Sequence, residues 1–165
     1  MNEDLRKAAL AVLAGGTAAG AADIISAVGG QKNPLATLQY LASALVGKVA
    51  FDGGWLMGGL GLLVHFGLTT IMAGLFVLAA RRWTPLLRQT WLMGMFYGAV
   101  IYGLMFYIIV PHTAVPVWKT PVGFLANLKG AMLHGFLVAV PIASTARYFL
   151  AEQAQARLPL WREAP

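Results

Sequence analysis

The sequence predicts an all-α integral membrane bundle of four transmembrane helices, with a short interfacial or re-entrant helix in the first outer loop. Three observations predict it. Of the 165 residues, 59% are hydrophobic and only 11% charged, far from a soluble globular average. The charges gather at the ends and between four long apolar runs, at about 8–28, 53–80, 90–110 and 125–150. Each run can cross a hydrocarbon core of roughly 30 Å at about 1.5 Å rise per residue. Finally, all seven arginines fall on one predicted side of those runs. The whole chain, 1–165, reads as a single transmembrane domain.

The first run follows Glu3, Asp4, Arg6 and Lys7 and carries Asp23. Its length, its weak apolarity and its acidic residues mark a retained helix, not a cleaved signal peptide. The outer loop behind it is not a plain linker. Asn33-Pro34 is a helix start, with Asn as cap and Pro in the first turn. Leu35, Leu38, Leu41, Leu45 and Val49 then recur at helical spacing, which predicts an outer helix over about 34–48. The second run ends at Arg81 and Arg82, and Arg88 completes a short basic link to the third. Thr120-Pro121 is expected to open another helix that runs straight into the fourth run. Residues 151–165 form a tail with Arg157 and Arg162.

The basic residues predict orientation. Arg6, Arg81, Arg82, Arg88, Arg147, Arg157 and Arg162 share one side, against Lys32, Lys48, Lys119 and Lys129 on the other. The positive-inside rule places both termini in the cytoplasm. Trp55 and Trp118 then fall near the outer boundary and Trp83 and Trp91 near the inner one, with Trp161 at the inner surface. This is the aromatic belt of a multi-pass protein. The net charge of +6 is explained by these flanking arginines and their anionic-lipid contacts. No basic patch with interleaved aromatics points to nucleic acid.

Small residues mark the packing faces, because they let helix backbones approach closely in lipid. The expected seams are Gly16, Gly20, Asp23 and Ala27 in the first run, and Gly54, Gly58, Gly61, His65, Thr69 and Met72 in the second. In the third they are Gly94, Gly98 and Met105, and in the fourth Asn127, Ala131, His134, Val138, Pro141 and Thr145. Asp23, His65 and His134 are ionisable groups inside apolar runs, where they are costly and so need a reason. Each lies on its seam. Counted from Lys7, Arg81 and Arg147, they sit roughly 24, 24 and 20 Å from the inner anchors, which is one level. Thr69 and Tyr102 belong to that level, as do Met105 and Phe106, with Tyr102 and Met105 more readily core than ligands. Asp52, Lys48 and His112 are candidates at the outer mouth, Asp52 and Lys48 being four apart and able to pair on a helix edge. The texts around His65 (63–68) and His134 (132–137) echo each other, which suggests a parallel internal repeat.

The chemistry open to this level is limited. Imidazole titrates near neutrality, so an Asp/His chain can relay protons or bind a polar solute. Asp23, His65 and His134 are the ligands if haem or a divalent metal is held, but no local ligand spacing is present and no cofactor is expected. The chain has no cysteine, which excludes thiolate sites and disulfides. It has no nucleophile elbow, acidic pair or phosphate-clamping arginine in the outer half, so an enzyme is not expected. The competing expectation is structural, with Asp23 neutral and donating to His65 to hold two helices together.

Several stretches resemble a widespread group of small four-helix bacterial inner-membrane proteins, more distantly the YagU-like inner-membrane proteins. They are Ala18–Ile24, Leu38–Ser43, Ala50–Gly54, Leu60–Phe66, Tyr97-Gly98 with Tyr102, and Pro141–Ala143 with Ala146-Arg147. The resemblance covers about 16–148 and matches Asp23, Asp52, His65 and His134. It implies four helices in a bacterial inner membrane and brings no activity with it. Where that group tends to carry Asn, this chain has Phe106, and where it tends to read Pro-Leu-Ser, this chain reads Pro111-His112-Thr113. The site is therefore expected to be drier here, with His112 substituting from the mouth. The sequence leads to a small polytopic inner-membrane protein that binds or passes a small solute or proton at the Asp/His level, in the lipid bilayer and as a homo-oligomer. The alternative is a structural or accessory membrane subunit without transport.

Overall fold

Every apolar run becomes a helix. The computed structural model describes residues 2–116 and 120–156, with side chains as far as Ala151. Helix α1 spans Glu3–Val28, α2 Pro34–Val46 and α3 Gly54–Arg82. Helix α4 spans Thr90–His112 and α5 spans Phe124–Ala151, with helical backbone continuing to Ala156. Four of these, α1, α3, α4 and α5, are long and apolar enough to cross a membrane, and no strand occurs among the described residues. The chain is an all-α, multi-pass membrane bundle. The expectations for Trp118, Lys119, Arg157, Trp161, Arg162 and the tail beyond 156 lie outside the described residues.

Local chemistry sets the helix ends. The Asn2 side chain accepts from the Leu5 N–H at 2.9 Å, and Glu3 and Asp4 lie in the first turn of α1, where negative charge suits the helix dipole. Asn33 caps α2 in the same way, through the Ala36 N–H at 3.2 Å. Helix α2 ends at Val46, two residues short of the expected limit, because Gly47 turns to φ +67° and a 3-10 turn, Gly47–Phe51, follows. That turn also separates Lys48 from Asp52. Residues four apart lie about 40° apart around an α-helix but about 120° apart around a 3-10 helix. The expected pair does not form, and both side chains are exposed.

Helix α2 is not a loose surface helix. Leu38, Gln39, Ala42 and Ser43 are buried, and the Gln39 amide donates to the Phe51 and Gly54 carbonyls at 3.3 and 3.4 Å. A methyl group on Gly61 of α3 would lie 1.9 Å from the Leu38 carbonyl oxygen. Only glycine permits that crossing. Helices α4 and α5 meet as closely, since a Cβ on Gly98 would lie 2.3 Å from the Gly135 Cα.

Two expectations about the second half are corrected. Thr120-Pro121 does not open a helix. Gly123, at φ +92°, stands between Pro121 and the first helical residue, Phe124, and breaks the continuity. The internal repeat therefore lacks a counterpart of α2. The seam of α5 is also displaced. Its buried positions beyond Val138 are Ala139, Val140, Ile142, Ala143, Ala146 and Leu150, whereas Pro141 and Thr145 are only half-buried. A π turn over His134–Ala139 inserts one residue into the helical count and moves the face by that amount. Helix α4 has a π turn too, Met105–Ile109. Each π turn ends two residues before a proline, Pro111 or Pro141. Proline lacks the N–H for its i−4 carbonyl and crowds it, so the preceding turn widens.

Ala11, Ala73, Phe76, Ile142 and Leu150 are among the buried core residues, while Leu56, Leu63, Phe96 and Tyr148 are exposed. In a membrane bundle these outer side chains face hydrocarbon, and the inner contacts rest on close packing. Trp55, Trp83 and Trp91 are exposed at helix ends, as a belt requires. The short link between α3 and α4 meets the end of α5, where the Arg147 guanidinium donates to the Arg88 carbonyl at 3.4 Å.

Candidate functional site

A cavity of about 200 Å³ lies between the helices, and Asp23, His65, Thr69 and His134 all line it. It is roofed by Tyr40, Leu41 and Ala44 of α2. The loop after α4 is fastened to that roof, for the Ala114 N–H donates to the Ala44 carbonyl at 3.1 Å, and Val115 joins the lining. Leu68, Met72, Met105, Phe106 and Val138 supply much of the apolar wall.

Each polar group is held differently. His65 is 8% exposed, and its Nε2 lies 3.1 Å from the Gly20 carbonyl oxygen of α1. A carbonyl only accepts, so Nε2 carries a proton and donates. The nearest Asp23 oxygen is 3.9 Å from the same nitrogen, beyond hydrogen-bond reach. This corrects the expectation that a neutral Asp23 donates to His65, because the nitrogen facing it is itself a committed donor. Asp23 makes no hydrogen bond among the described residues, and its side chain is 28% exposed. Thr69, one turn along α3, donates to the Gly16 carbonyl at 2.9 Å and shares that proton with the Phe66 carbonyl at 3.1 Å. Both of these α3 groups therefore read the backbone of α1.

His134 turns to its own helix. Its Nδ1 lies 2.9 Å from the Gly130 carbonyl, so Nδ1 donates and the neutral ring keeps a bare lone pair on Nε2. That Nε2 has no hydrogen-bond partner among the described residues. The ring is instead wedged by aromatics. Tyr102 lies 5.5 Å away between centroids, and Phe106 meets it edge-on at 5.3 Å and 90°. Tyr102 stands behind His134 and does not line the cavity. Its hydroxyl donates to Asn127 Oδ1 at 3.0 Å, which Tyr107 also reaches. The Asn127 amide in turn donates to the Gly123 carbonyl at 2.9 Å, so this network secures the start of α5.

The mouth candidates stand apart from the cavity. Asp52, Lys48 and His112 do not line it. His112 Nδ1 sits 2.6 Å from the Ile108 carbonyl and closes the end of α4, a usual place for histidine. Tyr40 is a lining residue that the sequence reading does not single out, whereas Phe106 lines the cavity at the position expected to make the site drier. The signal for Tyr40 is its spacing with Leu41 and Ala44 on one side of α2.

No group of three or more His, Asp or Glu side chains among the described residues is placed to hold a metal ion. The cavity volume suits a single small ring, since roughly 150 Å³ admits benzene. The arrangement defines a polytopic membrane protein with a partly open, mostly apolar cavity and a few convergent polar groups, the usual form of a small-molecule site. Comparison with protein-family models, curated proteins and solved structures finds no match.

Proposed function

We propose that this protein binds a small solute in the cavity beneath α2, or passes that solute or a proton through it. One observation carries the reading: Asp23, His65, Thr69 and His134, from three separate helices, line a single cavity. Residues that only glued helices together would have no need to share open space. The proposed setting is a bacterial inner membrane with both termini in the cytoplasm, supported by the arginine asymmetry and by the resemblance to small inner-membrane bundles. Self-association belongs to the proposal, because four helices are few to line a continuous path.

A structural or accessory role is the second reading, and it has its own support. His65 and Thr69 are both hydrogen-bonded to the α1 backbone, as glue would be. The test purifies Asp23→Asn, His65→Ala and His134→Ala variants and compares their thermal stability with solute- or proton-dependent flux in liposomes. The cavity reading expects Asp23→Asn and His134→Ala to lose flux while keeping their melting temperatures. Absence of wild-type flux, together with lost stability in all three, favours the structural reading.

A further inference from the structure

We infer that the cavity selects a small organic cation carrying N–H donors, a protonated amine about the size of one six-membered ring. The inference rests on the cavity reading above and names the class of its ligand. It follows from an inventory of donors and acceptors. His65 Nε2–H is given to Gly20, Thr69 O–H to Gly16 and Phe66, and His134 Nδ1–H to Gly130. With those protons committed, the lining residues His65, Thr69 and His134 keep only acceptor capacity for a ligand, and beside them stands the Asp23 carboxyl, whose contact with His65 Nε2, at 3.9 Å, is beyond hydrogen-bond reach. Among the described residues no Lys or Arg lines the cavity.

An anion would therefore meet a carboxylate and lone pairs, with no N–H to receive it. A neutral apolar molecule would leave the Asp23 carboxyl without a hydrogen-bond partner among the described residues in a largely apolar surround, which is costly. A protonated amine reverses both. Its ammonium group can donate to Asp23 and to His134 Nε2, in charge-assisted hydrogen bonds. Its hydrocarbon part meets Leu68, Met72 and Val138. Tyr40 and Phe106 add aromatic surface, which attracts cations. The Tyr40 phenol has no hydrogen-bond partner among the described residues. Burial pushes it above its ordinary pKa, so it stays neutral and can turn a lone pair inward.

Four probes of nearly one shape test the assignment on the full chain in nanodiscs by titration calorimetry. They are benzylammonium, benzyl alcohol, benzoate and benzyltrimethylammonium. Benzylammonium should bind saturably and about tenfold or more tighter than the alcohol, with benzoate not binding. Benzyltrimethylammonium keeps the charge without N–H groups and should bind about tenfold more weakly. Asp23→Asn should remove most of the benzylammonium affinity, and His134→Ala should reduce it several-fold. If Asp23→Asn does not fold, the order of the four probes on the unaltered protein decides alone. Equal or tighter binding of the alcohol or benzoate overturns the cation assignment and leaves the cavity reading standing. Binding of none of the probes overturns it too, and liposome flux then judges the cavity reading separately.

Discussion

The two halves of the molecule carry nearly the same text around a histidine and use it in opposite ways. In α3, His65 reaches across to the Gly20 carbonyl of α1. In α5, His134 bonds the Gly130 carbonyl of its own helix, and its Nε2 has no partner among the described residues. The backbone explains the difference. Helix α3 is regular from Gly54 to Arg82 and lies close to α1 along small residues. Helix α5 widens into a π turn at His134 itself, and π turns often mark functional positions. The first half also has a roof, α2, that the second lacks. Both histidines line the cavity, but only His65 ties two helices together, although a short sequence match would equate them.

The comparison can be broken most severely at its crossings. Gly98→Leu should separate α4 from α5, because its first carbon alone would meet the Gly135 backbone at 2.3 Å. A loss of about 3 kcal/mol or more is expected in thermal unfolding. Gly103→Ala, with nothing within 4 Å, is the control and should be near neutral.

Pro141→Ala tests whether the π turn is what distinguishes the halves. Alanine favours a helix interior over proline by about 3 kcal/mol, so local propensity expects stabilisation. The structure expects the reverse sign, a loss of about 1–2 kcal/mol. Without the extra residue Ile142, Ala146 and Leu150 turn by about 100° away from the core. A raised melting temperature in the variant would sink this account of α5.

The two histidines give a smaller and sharper contrast. His65→Ala should cost about 1–2 kcal/mol, since it deletes an interhelical hydrogen bond and leaves a void at a site 8% exposed. His134→Ala should cost under about 1 kcal/mol, because its bond is local, while solute flux falls. Equal losses of stability would erase the distinction between the halves. The smallest effects belong to the rim: Lys48→Ala and Asp52→Ala should each stay within about 0.5 kcal/mol, as exposed residues without an ion pair.

Much of the site was legible before the fold. Asp23, His65, Thr69 and His134 stand on the expected small-residue seams, and they meet at one cavity. The seam of α3 holds from Gly58 to Met72, because nothing interrupts its period. The seam of α5 fails after Val138, where Pro141 was read as a seam residue and not as the cause of a wider turn. Tyr102 was placed at the right level on the wrong side, for its hydroxyl answers Asn127, twenty-five residues on.

By itself the amino-acid sequence determined the class, the number and approximate extent of the long apolar helices, and which of them carry the ionisable groups. Those follow from apolar run length, capping chemistry and a constant rise per residue, all local properties. Only the tertiary structure decided which carbonyl each histidine takes, how far the π turn rotates α5, that α2 closes a roof, and that space remains beneath it. Those depend on surfaces brought together from distant parts of the chain. A void between packed helices belongs to no single stretch of sequence.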